Sequence, residues 1–118
     1  MNINTFSTHL ITKKIGSDEW ELQAPLKWIN RDGVVIEVPK GFVTDYASVP
    51  RLPLVFSIFG NTAHAEAVLH DYLYSIKWDR KDADKMFYEA MLSQGVSKWK
   101  AHLMWLTVRA FGWTSYPK

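Results

Sequence analysis

The chain predicts an α+β domain, a small N-terminal antiparallel β-sheet packed with a C-terminal three-helix unit. Three observations carry that expectation. Within the first 45 positions apolar and polar residues alternate with a period of two over residues 19–24, and apolar runs flank polar turns beyond it. From Thr62 the apolar residues recur with the helical period instead. Between the two regions, residues 46–61 hold Pro50, Pro53 and Gly60 and follow neither period, so they read as a loop. At 118 residues the chain fits one domain, 1–118, mainly β over 1–45 and helical over 62–113.

The β elements follow in order. Residues 5–13 supply a candidate edge strand. Trp20, Leu22 and Ala24 alternate with Glu19, Glu21 and Gln23, the pattern of a half-buried strand. Leu26 to Ile29 and Val34 to Val38 flank Asn30-Arg31-Asp32-Gly33, a polar turn with glycine where positive φ is needed, which predicts a hairpin. After the turn Pro39-Lys40-Gly41, Phe42 to Thr44 form a short strand.

Three helices come next. Ala65, Val68, Leu69, Tyr72, Leu73 and Ile76 share a stripe, predicting a helix over Thr62–Lys77. Asp79 starts a second, with Asp82 in its first turn and Ala83, Met86, Phe87, Ala90 and Met91 as its apolar stripe; Gly95 suits the position just past its end. Ser97 caps a third that runs to about Phe111 and has two apolar faces. One holds Ala101, Met104, Trp105 and Val108, the other Trp99, Leu103, Leu106 and Ala110. A helix apolar on two faces is either sandwiched or an interface, so Trp99, Leu103 and Leu106 are candidate partner contacts.

Composition narrows the function classes. Apolar residues at 47% and charged residues at 22% are those of a globular chain, which excludes disorder. Net charge is only +2 and the basic residues are dispersed, so no nucleic-acid footprint is expected. Without cysteine there are no disulfides and no thiolate metal ligands, which suits a reducing cytosol. Met1 to Leu10 lacks the basic and apolar regions of a signal peptide. Leu103 to Phe111, broken by Thr107 and Arg109, is too short to span a bilayer, so no transmembrane segment is expected. Six tryptophans in so short a chain suit a tight core, an interface, or both.

Chemistry concentrates on the first two helices. His70, Asp71 and Tyr74 fall opposite the first apolar stripe, on a face poor in Lys, Glu and Gln that could line a cleft. His70 stands roughly 12 Å before the turn and Asp84 roughly 7.5 Å after it, an offset of about 4 Å between antiparallel neighbours. Asp84 can therefore accept from His70, fix its tautomer and raise its basicity, and a histidine so held could activate water. The equally weighted alternative is a buried polar network that fixes helix register, with Tyr74 donating to Asp84. Thr44 to Arg51 forms a second constellation, in which Thr44 and Arg51 could support the site and Ser48 could act as nucleophile. Asp45 with Asp71 offers oxygen ligands, and the cofactor such a pair would take is a divalent cation such as calcium.

Several motifs occur in a fixed order: Gly41-Phe-Val-Thr-Asp-Tyr-Ala-Ser-Val-Pro-Arg51, Leu69-His-Asp-Tyr-Leu-Tyr74, Ala83-Asp-x-x-Phe87, Gly95-Val96 and Val108-Arg-x-Phe-Gly-Trp113. Together they resemble a phage and prophage family known as domain of unknown function 1353. The resemblance implies a phage-related origin, a phage or host protein as partner, and the host cytoplasm or the virion as location. His70-Asp71-x-x-Tyr74 followed by Ala83-Asp84-x-x-Phe87 is also similar to the helix pair of secreted and parvoviral phospholipases of the A-two class. That similarity implies His70 as base, Asp71 as calcium ligand and Asp84 as orienting carboxylate. The glycine-rich calcium loop and the bracing cysteines of those enzymes are absent here. Two functions stay open: a hydrolase-like site at His70 and Asp84, or a non-catalytic virion, tail-associated or host-binding protein that uses the aromatic third helix.

Overall fold

The computed structural model describes residues 2–17, 19–45 and 64–117. Among the described residues six short strands precede three helices: β1 Thr5–Phe6, β2 Thr12–Lys14, β3 Trp20–Leu22, β4 Leu26–Ile29, β5 Val35–Val38, β6 Val43–Thr44, then α1 Ala65–Ser75, α2 Arg80–Ser93 and α3 Lys98–Phe111. A 3-10 turn, Gly112–Thr114, closes the last helix. The class is α+β, as expected.

The strands form two antiparallel three-stranded sheets, ordered β1-β4-β5 and β2-β3-β6. The stretch expected as one edge strand over 5–13 is thus two strands in different sheets. The chain leaves β4 after Phe6 and joins β3 at Thr12, opposite Leu22. Ala24 lies beyond the end of β3, where Pro25 has no N–H to give a ladder.

The hairpin of β4 and β5 pairs Leu26 with Val38 and Trp28 with Ile36. All four face inward, while Val35 and Glu37 face out, so the period of two sets the buried side. The turn is built by Asn30, whose Oδ1 accepts from the backbone N–H groups of Asp32 and Val34 at 2.9 Å each. Gly33 follows at φ 78°, a conformation glycine adopts without steric cost.

The inward faces of both sheets pack on α1 and α2. Leu22, Leu26, Trp28, Ile36 and Val38 meet Val68, Leu69 and Leu73 of α1 and Ala83, Met86 and Ala90 of α2. A second cluster joins the helices to one another through Ala67, Phe87, Met91, Ala101, Met104 and Val108. Helix α1 is therefore covered on two sides. This corrects the expectation that its His70 and Tyr74 face lines a cleft: both side chains are buried in the helical layer. Ile76, expected on the apolar stripe, is the C-cap residue of α1 and is exposed.

Helix α2 starts where expected, with Asp79 Oδ2 accepting from the Asp82 N–H at 3.1 Å. Ser97 precedes α3 but makes no side-chain cap. Helix α3 packs chiefly on α2, so its far side is uncovered and Trp99, Leu106 and Phe111 are exposed. Leu103 and Trp105 are half-buried. No helix among the described residues is long and apolar enough to cross a membrane.

Arg31, at the hairpin tip, donates to Asp82 and Glu89 of α2 at 2.9 Å each, which docks the turn on the helix. Replacing Asn30 with alanine strands two backbone donors and loosens that contact. We expect a loss of about 1–3 kcal/mol in urea unfolding; an unchanged midpoint would show that the turn holds itself without the side chain.

Candidate functional site

Asp84 lies on the inner face of α2 with no exposed surface. Its carboxylate takes donors from both other helices. From α1, Tyr74 donates to Oδ1 at 2.5 Å, and His70 Nε2 sits 2.7 Å from the same oxygen. From α3, Arg109 Nη1 donates to Oδ2 at 2.8 Å. The sequence offset of His70 and Asp84 thus becomes a direct contact, and both weighed partners, His70 and Tyr74, are engaged at once.

The charges are balanced around this point. Burial alone would raise Asp84, but donors from His70, Tyr74 and Arg109 outweigh it and hold the carboxyl below its usual range. Burial drives His70 below its ordinary value, more strongly than Asp84 raises it. A neutral His70 facing a carboxylate must donate from Nε2, which fixes the tautomer. Burial and the bond to Asp84 push Tyr74 up, so it stays a donor.

Arg80 completes the arrangement from the start of α2. Its Nε donates to the Tyr74 hydroxyl at 3.3 Å, and its Nη2 reaches the carbonyls of Val108 and Arg109 at 2.8 and 2.6 Å. Those carbonyls belong to the last turn of α3, where orphan acceptors and the negative end of the helix dipole favour a cation. Gly112 lets the chain end lie directly on Tyr74, since a Cβ there would stand 2.5 Å from the tyrosine oxygen.

The sequence motifs contain Arg109 and Gly112 but assign no site role to them or to Arg80. One signal was available: Arg109 interrupts an otherwise apolar stretch, and a charge in such a helix calls for a buried partner.

The other candidates divide. Thr44, fully buried on β6, donates to Asp71 Oδ2 at 2.7 Å and ties the strand to α1 one residue from His70. Asp45 is exposed. Ser48 and Arg51 lie outside the described residues, as does the rest of their loop. Among the described residues no three His, Asp or Glu side chains are grouped to hold a metal. Asp71 and Asp45 therefore have no third carboxylate or imidazole there to complete a calcium set.

Chemically, His70 is oriented but enclosed. Its ring is packed at a tilt against those of Tyr74 and Phe87, with centroids 4.3 and 4.7 Å away, and none of its surface is exposed. A general base must come within hydrogen-bond reach of a substrate proton. What the arrangement does directly is lock three helices together.

Two expectations follow from the lock. Asp84→Asn turns one acceptor into a donor that faces donors and leaves Arg109 without its counter-ion. It should cost about 3 kcal/mol, a melting temperature lower by roughly 10 °C. An unchanged melting curve would mean the lock is not what holds the helices. The second concerns pH. With His70 lowered in the fold and ordinary near 6.5 when unfolded, the unfolded chain binds the extra proton first. Stability then falls as pH drops below about 6.5, by up to about 1.4 kcal/mol per pH unit. Asp84, lowered as well, keeps its contribution until pH falls below the ordinary carboxylate value. Glu66, raised by burial, has the opposite sign, so the readout is the difference between the parent and His70→Gln. The slope below pH 6.5 should be shallower in the variant; parallel curves would contradict a buried neutral histidine.

Comparison with known proteins gives a family without an activity. Residues 20–108 match the family model described as "Protein of unknown function (DUF1353)". Uncharacterized protein y4iH of Sinorhizobium fredii (strain NBRC 101917 / NGR234) is 36% identical over 95 residues, covering 77% of this chain and 39% of that protein. Uncharacterized protein y4jT of the same strain is 32% identical over 120 residues, covering 93% of this chain and 35% of that protein. The chain thus spans well under half the length of these relatives. No solved structure matches it. The match across most of the chain, over the two helices that carry His70 and Asp84 and most of the third, shows that it belongs to the DUF1353 family of proteins of unknown function.

Proposed function

We propose that this protein is a binding module whose α3 surface docks an acidic, apolar segment of another polypeptide. The observation that carries the reading is a groove of about 400 Å³ between α2 and α3, lined by Lys81, Lys85, Tyr88, His102 and Trp105. Beside it stand Trp99, 64% exposed, and Leu106, 46% exposed, on the same helix. Large exposed aromatics grouped on one face mark interaction surfaces, and tryptophan is the commonest anchor of such contacts.

Charge selects the partner. Lys81 and Lys85 line the groove, and Lys100 lies 5.6 Å over the Trp99 ring. The α2 carboxylates that could offset them, Asp82 and Glu89, are held by Arg31 of the hairpin. A segment that places apolar side chains on the groove floor and carboxylates against the lysines complements this surface. The greater length of the relatives suits the reading, since there the matched region is accompanied by further polypeptide. In this reading the partner is a phage or host protein met in the host cytoplasm or the virion, for which the motif resemblance is the support.

The hydrolase reading has the 2.7 Å contact of His70 and Asp84 in its favour. Enclosure of the pair weighs more, and in this reading it serves the helix packing that presents α3.

The test places a photo-crosslinking benzoylphenylalanine at position 102 of the full chain, in its native host. The expected product is an adduct with one polypeptide, joined through a segment rich in Asp or Glu and large apolar residues. Trp99→Asp with Leu106→Asp should abolish it without lowering the melting temperature, since exposed substitutions change stability by only about 0.5 kcal/mol. An adduct that survives both substitutions, a nucleic-acid adduct, a second copy of the chain, or no adduct at all would overturn the proposal.

A further inference from the structure

A second cavity lies at another place in the fold and is chemically different. Three segments distant in sequence meet around a cleft of about 710 Å³: Phe6 to Leu10 after β1, His64 to Glu66 at the start of α1, and Gln94 to Val96 between α2 and α3. Its volume falls within the range of small-molecule sites.

Glu66 is the unusual residue here. It lines the cleft, yet its surface is only 2% exposed. Its Oε1 is 3.7 Å from His64 Nδ1, beyond hydrogen-bond distance, and the carboxylate otherwise accepts from its own backbone N–H. No lysine or arginine is among the described residues lining the cleft, where the other titratable groups are His9 and His64. Thr8 cannot help, because its hydroxyl already donates to the Pro25 carbonyl and accepts from the Lys27 N–H. His64 is a counter-ion only when protonated, and a carboxylate removed from water without a permanent cation is costly. Burial pushes Glu66 above its usual range, against the smaller lowering by its own backbone N–H and by His64. Asp84 shows the contrast: equally buried, it has Arg109 and two further donors.

We propose that this cleft binds a small organic cation whose primary ammonium group pairs with Glu66. A compact ammonium needs one carboxylate and a few neutral acceptors, and it supplies a permanent positive charge where His64 offers one only when protonated. Phe6, Leu10 and Val96 offer apolar contact for the carbon chain of the ligand, while Gln94 and the imidazoles border it with polar atoms. Amino-acid amides, polyamines and peptide N-termini are the chemical class that fits. This cleft is separate from the α3 surface and shares none of its lining residues.

The experiment uses n-butylammonium, with n-butanol and n-butyrate as neutral and anionic counterparts of the same shape, followed by amide chemical shifts of the full chain. Butylammonium should produce saturable shifts at Glu66, Gly95 and Val96, and butanol and butyrate should not. Glu66→Gln, with its fold checked by melting temperature, should weaken the binding at least tenfold. In the parent, the Glu66 side-chain carboxyl carbon should move towards its ionised resonance as butylammonium saturates, a readout that does not depend on the variant folding. Equal binding by butyrate, unchanged affinity in the variant, or a carboxyl resonance that does not move would each overturn the proposal.

Discussion

The buried carboxylate of Asp84 is the constraint on which the helical half depends. An ionised group with no exposed surface persists only if it is paired and its lone pairs are filled. Here the donors come from two different helices, His70 and Tyr74 on α1 and Arg109 on α3. Sliding either helix along α2 by one turn, about 5.4 Å, would break those bonds and leave the charge buried. Apolar packing tolerates such slips far better, because leucine and methionine contacts are non-directional. The polar lock specifies register, and the apolar clusters around it supply the driving force.

Smaller devices tie this unit to the sheets. Thr44 links β6 to α1 through Asp71, and Arg31 links the β4–β5 turn to α2 through Asp82 and Glu89. Asp82 also accepts from the Trp78 indole at 2.8 Å, which joins the α1–α2 turn to the same network. Adjacent residues of α1 thereby serve opposite neighbours: His70 faces α2, and Asp71 faces β6. At the level of His70 the helix is loaded on both sides and leaves no face open to solvent, which is why an oriented histidine ends up enclosed.

Much of this was legible in the chain. Period-two alternation fixed the inward residues of β4 and β5, and Asn30 to Gly33 announced the hairpin. The rise per residue along two antiparallel helices brought His70 level with Asp84. Tertiary choices with no local signature were not legible. That residues 5–14 serve two sheets depends on which strand edges are free, not on their own composition. Burial of His70 and Tyr74 depends on α1 having neighbours on both sides, whereas periodicity along a helix registers only its more apolar face. Arg80 acts through the carbonyls of α3, and backbone acceptors leave no trace in a sequence. Gly112 has a φ of −61°, open to any side chain; the contact with Tyr74 is what requires glycine.

Burial divides the titratable groups into two kinds, and the division bears on function. His70, Tyr74 and Asp84 satisfy one another, so substitutions there should act through stability. Glu66 is buried beside a cleft with no lysine or arginine among the described residues that line it and His64 3.7 Å away, and Trp99 and Leu106 are apolar groups left facing water. Both conditions are unfavourable for the isolated chain, and a bound molecule of the right kind relieves each: a cation in one place, an apolar and acidic surface in the other. Stabilisation by a ligand grows with the logarithm of its concentration over Kd. Sites that cost the free protein stability are therefore where ligands should raise its melting temperature, while the satisfied centre at Asp84 has no such gain to offer.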